Sequence, residues 1–202
     1  MAFLAILVGL ILFIFSIYVG VWGKVPNKKD LSDFKYDRAS EVYSADSVLI
    51  GKYYIYDRQP VAFEAFPENL INALISIEDE RFYEHSGVDY PSLARVAIKT
   101  ILLQDQSSGG GSTLTQQLAK NLYPRRNRKI SILAVDKIKE MIIASRLENI
   151  YTKEEIITLY LNTVSFGDNT FGIESASLKF FDKHASQLTV EEAATLVGML
   201  KA

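Results

Sequence analysis

From Ala2 to Gly23 the chain runs for 22 residues without a charged side chain, and Ser16 is the only clearly polar one among them. As a helix rising ~1.5 Å per residue, such a run extends roughly 33 Å, enough to cross the hydrocarbon core of a bilayer. A cleaved signal peptide is the rival reading, but its apolar region runs only about 7–15 residues and ends in a small-residue cleavage site. Tyr18-Val19-Gly20-Val21-Trp22 reads instead as an aromatic interfacial anchor. The expectation is one N-terminal transmembrane helix within residues 1–23, with everything downstream folding beside a membrane.

No Lys or Arg precedes this run, whereas Lys24, Lys28 and Lys29 follow it. Taken alone, the positive-inside rule would put the C-terminal side in the cytoplasm, and Asp30, Asp33 and Asp37 count little against it. A chain of 202 residues suffices for one well-buried domain with a small appendage. The absence of cysteine fits an exported domain held together by its core.

Residues 24–66 read as a juxtamembrane linker carrying a short β hairpin. Glu41-Val42-Tyr43 and Val48-Leu49-Ile50 flank the turn-forming Ser44-Ala45-Asp46-Ser47, and Tyr53 to Tyr56 adds β-favouring aromatics. Its expected role is a spacer lifting the following domain off the bilayer.

From Pro67 the pattern turns helical. Leu70, Ile71, Leu74 and Ile75 form an apolar stripe behind a proline suited to a first turn. Asp89 reads as the cap of a second helix, with Pro91 in its first turn and Leu93, Ala97, Ile98, Ile101 and Leu102 on one side. On that helix Arg95 and Lys99 could rest on lipid headgroups, or it could be an ordinary core helix. Gln104 to Gly111 has the composition of a mobile loop. Thr113 with Gln116, Thr152 with Glu155 and Thr189 with Glu192 fit capping boxes opening helices near 113–122, 153–161 and 190–200. A long helix covers roughly 130–149, and a turn-rich loop over 166–172 precedes a short helix near 173–181.

Four constellations could carry chemistry. Extending the row Leu70–Leu74 by one turn reaches Glu78, so this carboxylate projects from the core-facing side, partly desolvated and suited to act as a general base. The structural alternative is a Glu that caps or salt-bridges the next loop, and nearby His85 reads as a residue bonding the last helix carbonyls. Gly109-Gly110-Gly111-Ser112-Thr113 runs into a helix start, where free N–H groups can meet an anion, although no Lys precedes Ser112 as a Walker loop requires. A flexible linker before a capped helix is the plainer account, yet Gln117, Lys120 and Asn121 put polar groups on one face of it.

Between Ala119 and Lys139 stand seven cations (Lys120, Arg125, Arg126, Arg128, Lys129, Lys137, Lys139) against Asp136, a local balance of +6 in a chain of net charge −2. Tyr123 is the sole aromatic among these cations, and one ring offers little base stacking, so phosphate or pyrophosphate at a membrane surface suits them better than nucleic acid. Contact with anionic lipid headgroups is the alternative. Finally, Asp136 and Glu140 lie one turn apart, a repulsion that a divalent cation such as Mg or Mn would relieve.

Taken together, Glu78-Asp79-x-x-Phe82-x-x-His85-x-Gly87, Gly110-x-Ser112-Thr113-Leu114-Thr115-Gln116-Gln117-Leu118-x-Lys120-Asn121, Lys137-x-x-Glu140, Tyr160-Leu161-Asn162 with Phe166-Gly167 and Gly172, and Glu192-Ala193-Ala194-x-Leu196-x-Gly198 resemble the five ordered motifs of the peptidoglycan glycosyltransferases, glycosyltransferase family fifty-one. The resemblance covers about 67–202, and the upstream strands are similar to those of class A penicillin-binding proteins. It implies a mainly α fold, with a lysozyme-like lobe and a small membrane-associated jaw around 90–130. It also implies a domain on the outer face of the cytoplasmic membrane, behind a single-pass anchor. The implied substrates are lipid II and the growing glycan strand, with membrane lipids and cell-wall synthesis proteins as further partners and no nucleic acid.

Carried over by motif position, Glu78 is the base with Asp79 supporting it. Ser112, Thr113, Gln117, Lys120, Asn121, Arg128, Lys137 and Asn162 bind substrate, and Glu140 orders the pyrophosphate site, with Asp136 and Glu140 as candidate metal ligands. Two departures stand out. The third motif normally begins Arg-Lys where this chain has Asp136-Lys137, so either Arg125 or Arg126 compensates or metal dependence is stronger. The chain also ends inside the fifth motif's tail, at Ala202, which leads to the expectation of a C-terminally incomplete domain over 67–202 lacking a transpeptidase domain. A lysozyme-like lytic enzyme would also use one Glu at a helix end but has little need of the Gly-rich loop or the +6 cluster. An inactive membrane scaffold is the third reading, opposed by the presence of Glu78, Lys120 and Glu140.

Overall fold

The computed structural model describes residues 1–33, 40–53, 57–102, 110–125 and 133–200. Nine α-helices and four short strands lie among them. The N-terminal helix, α1 (Ala2–Tyr18), is 17 residues long, about 26 Å at the usual helical rise. Gly20, at φ +88°, turns the chain just beyond it, and Trp22 folds back so that its indole N–H donates to Ser16 Oγ at 2.9 Å. Among the described residues no helix is long and apolar enough to cross a membrane. The expected transmembrane helix over 1–23 is corrected accordingly: its last residues form this turn, which hydropathy alone does not register.

Beyond the turn, Val25 and Leu31 are buried, and a five-residue helix, α2 (Lys28–Ser32), opens with a capping box between Asn27 and Asp30. The hairpin forms where its composition predicts it. Strand β1 (Ser40–Tyr43) pairs antiparallel with β2 (Leu49–Tyr53), with Ser47 at φ +63° in the turn. The two-residue strand β3 (Asp57–Arg58) pairs in parallel with β4 (Thr170–Phe171), a long-range pairing with no periodic signal in so short a segment.

The domain itself is helical. α3 (Glu68–Glu78) buries Leu70 and Leu74, stops at Glu78 and packs on α9 (Val190–Gly198). α4 (Tyr90–Leu102) starts at Asp89, whose carboxylate accepts from the Ser92 amide at 3.2 Å and its hydroxyl at 2.6 Å, as its capping role predicts. α5 (Leu114–Leu122) is the central element: six of its nine residues are buried, and it packs against both α6 (Leu133–Glu148) and α7 (Lys153–Thr163). α8 (Ile173–Phe181) follows the loop at β4. Full capping boxes at Thr152 and Thr189 open α7 and α9. The core joins Leu70, Leu74, Phe82, Leu118, Leu147 and Tyr160. The expected loop over 104–111 and the jaw around 90–130 fall partly on 103–109 and 126–132, outside the described residues.

Candidate active site

The end of α3, the first turns of α4 and the start of α5 enclose a cleft of about 290 Å³, lined by Glu78, Arg81, Arg95, Gly111, Ser112 and Thr113 among others. Glu78 is the last residue of α3 and half-buried, on the apolar row that its spacing from Leu74 predicts. Its Oε2 accepts from the side-chain amide of Gln117 at 2.7 Å. The carbonyl of that amide accepts from the Tyr160 hydroxyl at 2.9 Å. Burial, and then the negative charge of Glu78, push the Tyr160 phenol well above its usual range, so it remains a donor at any working pH.

Asp79 turns the other way. It is buried, accepts from the amide of Leu114 at 2.8 Å, and faces His85 Nε2 at 3.1 Å. Gly87 N–H donates to His85 Nδ1 at 3.2 Å, which places the ring proton on Nε2, aimed at Asp79. The reading of His85 as a residue that bonds helix carbonyls is thus corrected: it locks Asp79. The reading of the Gly-rich start as an anion site is corrected as well. The anion at the α5 N-terminus is the protein's own Asp79, and the Gln116 amide is taken by the Thr113 hydroxyl at 3.1 Å. Thr113 in turn donates to the Gly87 carbonyl at 2.7 Å. Gly87 sits at φ +90°, where a Cβ would lie 2.8 Å from the Ala144 carbonyl, so only glycine permits this approach of the loop to α6.

A second cluster adjoins the cleft through Ser112. Lys137 Nζ donates to Ser112 Oγ at 2.6 Å and lies 3.3 Å from Glu140 Oε2. Arg125 donates to Glu140 Oε1 through both Nε and a terminal nitrogen, at 3.0 and 2.9 Å. Glu140 is thus a buried carboxylate clasped by two cations, Lys137 and Arg125. Burial pushes the Lys137 ammonium below its usual range, and Glu140 opposes that shift. Both Glu140 oxygens are engaged by Arg125 and Lys137, and among the described residues no group of three or more His, Cys, Asp or Glu side chains is placed to hold a metal.

Of the other expected site residues, Lys120 and Asn121 lie exposed at the end of α5. Asn162 is buried away from this cluster; its amide donates to the Val61 carbonyl at 2.8 Å and accepts from the Val61 N–H at 3.0 Å, stapling the chain ahead of α3. Arg128 lies outside the described residues, with Arg126 and Lys129. Tyr160 has no role readable from sequence beyond its place in Tyr160-Leu161-Asn162. The available signal is that it shares an i, i+4 row with buried Ile156, and a phenol in a core needs a hydrogen-bond partner.

A mainly helical domain whose cleft holds a helix-end carboxylate, with a clasped cation cluster adjoining it, has the layout of a candidate enzyme active site. The family model described as Transglycosylase matches residues 46–202, and the chain belongs to that family, the peptidoglycan glycosyltransferases. Penicillin-binding protein 1A of Aquifex aeolicus (strain VF5) is 38% identical over 199 residues, 98% of this chain and 26% of the relative. Penicillin-binding protein 1A of Escherichia coli (strain K12) is 37% identical over 94% of this chain, and penicillin-binding protein 1F of Bacillus subtilis (strain 168) is 37% identical over 81%. The chain spans about a quarter of the length of these curated relatives.

Proposed function

We propose that this domain polymerises lipid II into glycan strands by inverting glycosyl transfer. Glu78 takes the proton of the acceptor 4-hydroxyl. That oxygen then bonds to the anomeric carbon of the donor as the bond from this carbon to the pyrophosphate oxygen breaks, and undecaprenyl pyrophosphate leaves with the electron pair. A positioned base contributes only about 10²–10⁴-fold, so stabilising the leaving group is the larger task. Lys137, Lys120 and Arg128 supply that charge, while Glu140 and Arg125 hold Lys137 in place.

The observation that supports this reading is that Ser112, which lines the same cleft as Glu78, receives the Lys137 ammonium at 2.6 Å. A lytic enzyme has no use for that cation. The reading also places the domain at the outer face of the cytoplasmic membrane, with α1 embedded in lipid: Leu4, Ile6, Ile11 and Leu12 are each 57–71% exposed. Tyr90 and Ile98 of α4, likewise exposed, would meet the bilayer as the jaw. Incubating the purified chain with lipid II tests the proposal. Glycan polymer should form with the parent and be lost in Glu78→Gln at unchanged melting temperature. Polymer from the variant at the parent's rate, or cleavage of preformed glycan without polymerisation, would overturn it.

A further inference from the structure

The amide of Gln117 is held at both ends, and the two holds fix its orientation. Its Nε2 donates to Glu78 Oε2 at 2.7 Å and its Oε1 accepts from Tyr160 at 2.9 Å. Rotating the amide by half a turn would exchange these atoms, turning a carbonyl oxygen toward the Glu78 carboxylate and leaving the Tyr160 proton without its acceptor. Both penalties fall on the same rotation. Tyr160 is 1% exposed and Gln117 9%, so water does not substitute readily for either partner.

We propose that Tyr160 is a positioning residue for Glu78: acting only through Gln117, its hydroxyl aims an amide N–H at one carboxylate oxygen and leaves the other oxygen for the acceptor hydroxyl. Tyr160 itself touches no substrate. It lies 43 residues from Gln117 in the chain, which in turn lies 39 from Glu78, so the relay joins three separate elements, α3, α5 and α7. The charge on the far side of the cleft is untouched by it, which makes the expected signature a loss of turnover without a loss of binding. This inference rests on Glu78 being the base proposed above.

Tyr160→Phe keeps the ring in the core and removes the hydroxyl alone. Polymerisation of lipid II should show kcat reduced about tenfold, the scale of one hydrogen bond, with KM unchanged and the chain still folded at the assay temperature. In a Gln117→Leu background the same substitution should have no further effect, since the relay is already cut. A Tyr160→Phe variant with the parent's kcat, or an equal loss in both backgrounds, would overturn the proposal. A second readout is independent of activity. The side-chain amide resonance of Gln117 in the ¹⁵N-labelled chain should move in Tyr160→Phe; if it stays, the relay is refuted. A parent that makes no polymer would count against the reaction, and the resonance would still decide the relay.

Discussion

A methyl group at residue 87 would sit 2.8 Å from the backbone of Ala144, in a left-handed conformation that costs a non-glycine residue about 1–2 kcal/mol before any clash is counted. Gly87→Ala should therefore lower the melting temperature by at least about 4 °C in calorimetry. Because the Gly87 carbonyl anchors Thr113, activity should fall with it. Lys137 offers a charge test at the same scale. Burial already favours its neutral form, and Glu140 is the group that opposes this. In Glu140→Gln the ammonium should be lost at a lower pH, so the alkaline limb of the polymerisation rate should move down the pH scale. An alkaline limb that stays in place would show that Lys137 does not supply the working charge.

Helix starts divide into two kinds. At α7 and α9 the cap and its reciprocal partner lie three residues apart, and both boxes form as their spacing predicts. Thr152→Ala and Thr189→Ala should each cost about 1 kcal/mol, seen as a melting shift of roughly 2–4 °C, and leave turnover unchanged. α5 is different. Thr113 caps Gln116 as expected, but the Gln116 side chain reaches the Gly87 carbonyl at 3.4 Å instead of closing a box, and the first helical amide goes to Asp79. A helix start satisfied by a carboxylate 35 residues upstream in the chain has no local signature, so a Gly-rich sequence reads as an open anion site when it is a filled one.

Across the whole molecule, the segment after α1 is a strap fastened to the domain by side chains that donate to its carbonyls: Lys139 to Trp22 at 2.7 Å, Arg146 to Pro26 at 2.6 Å, Tyr123 to Asp30 at 3.1 Å and Tyr151 to Leu31 at 2.8 Å. Leu31, 1% exposed, is its buried peg. Leu31→Ala should cost about 2–5 kcal/mol of stability. The emission of Trp22, the sole tryptophan, should report any loosening of the strap as a change against the parent. An unchanged melting temperature would mean that the strap contributes nothing to the fold.

The sequence by itself determined most of the domain's helices and their boundaries, the hairpin, the capping boxes of α7 and α9 and the place of Glu78 on its row, since each depends on residues within a turn or two of one another. The family motifs named the acid and cationic groups by the same local reading. What tertiary structure alone decided is how those groups are shared out: Asp79 to the start of α5, Gln117 to Glu78, Arg125 and Lys137 to Glu140, Asn162 to a backbone 101 residues away, and the end of the apolar run to a turn against Ser16. Hydrogen bonds between distant segments impose no period on the chain. Their partners become readable only once packing has brought them within 3 Å or so.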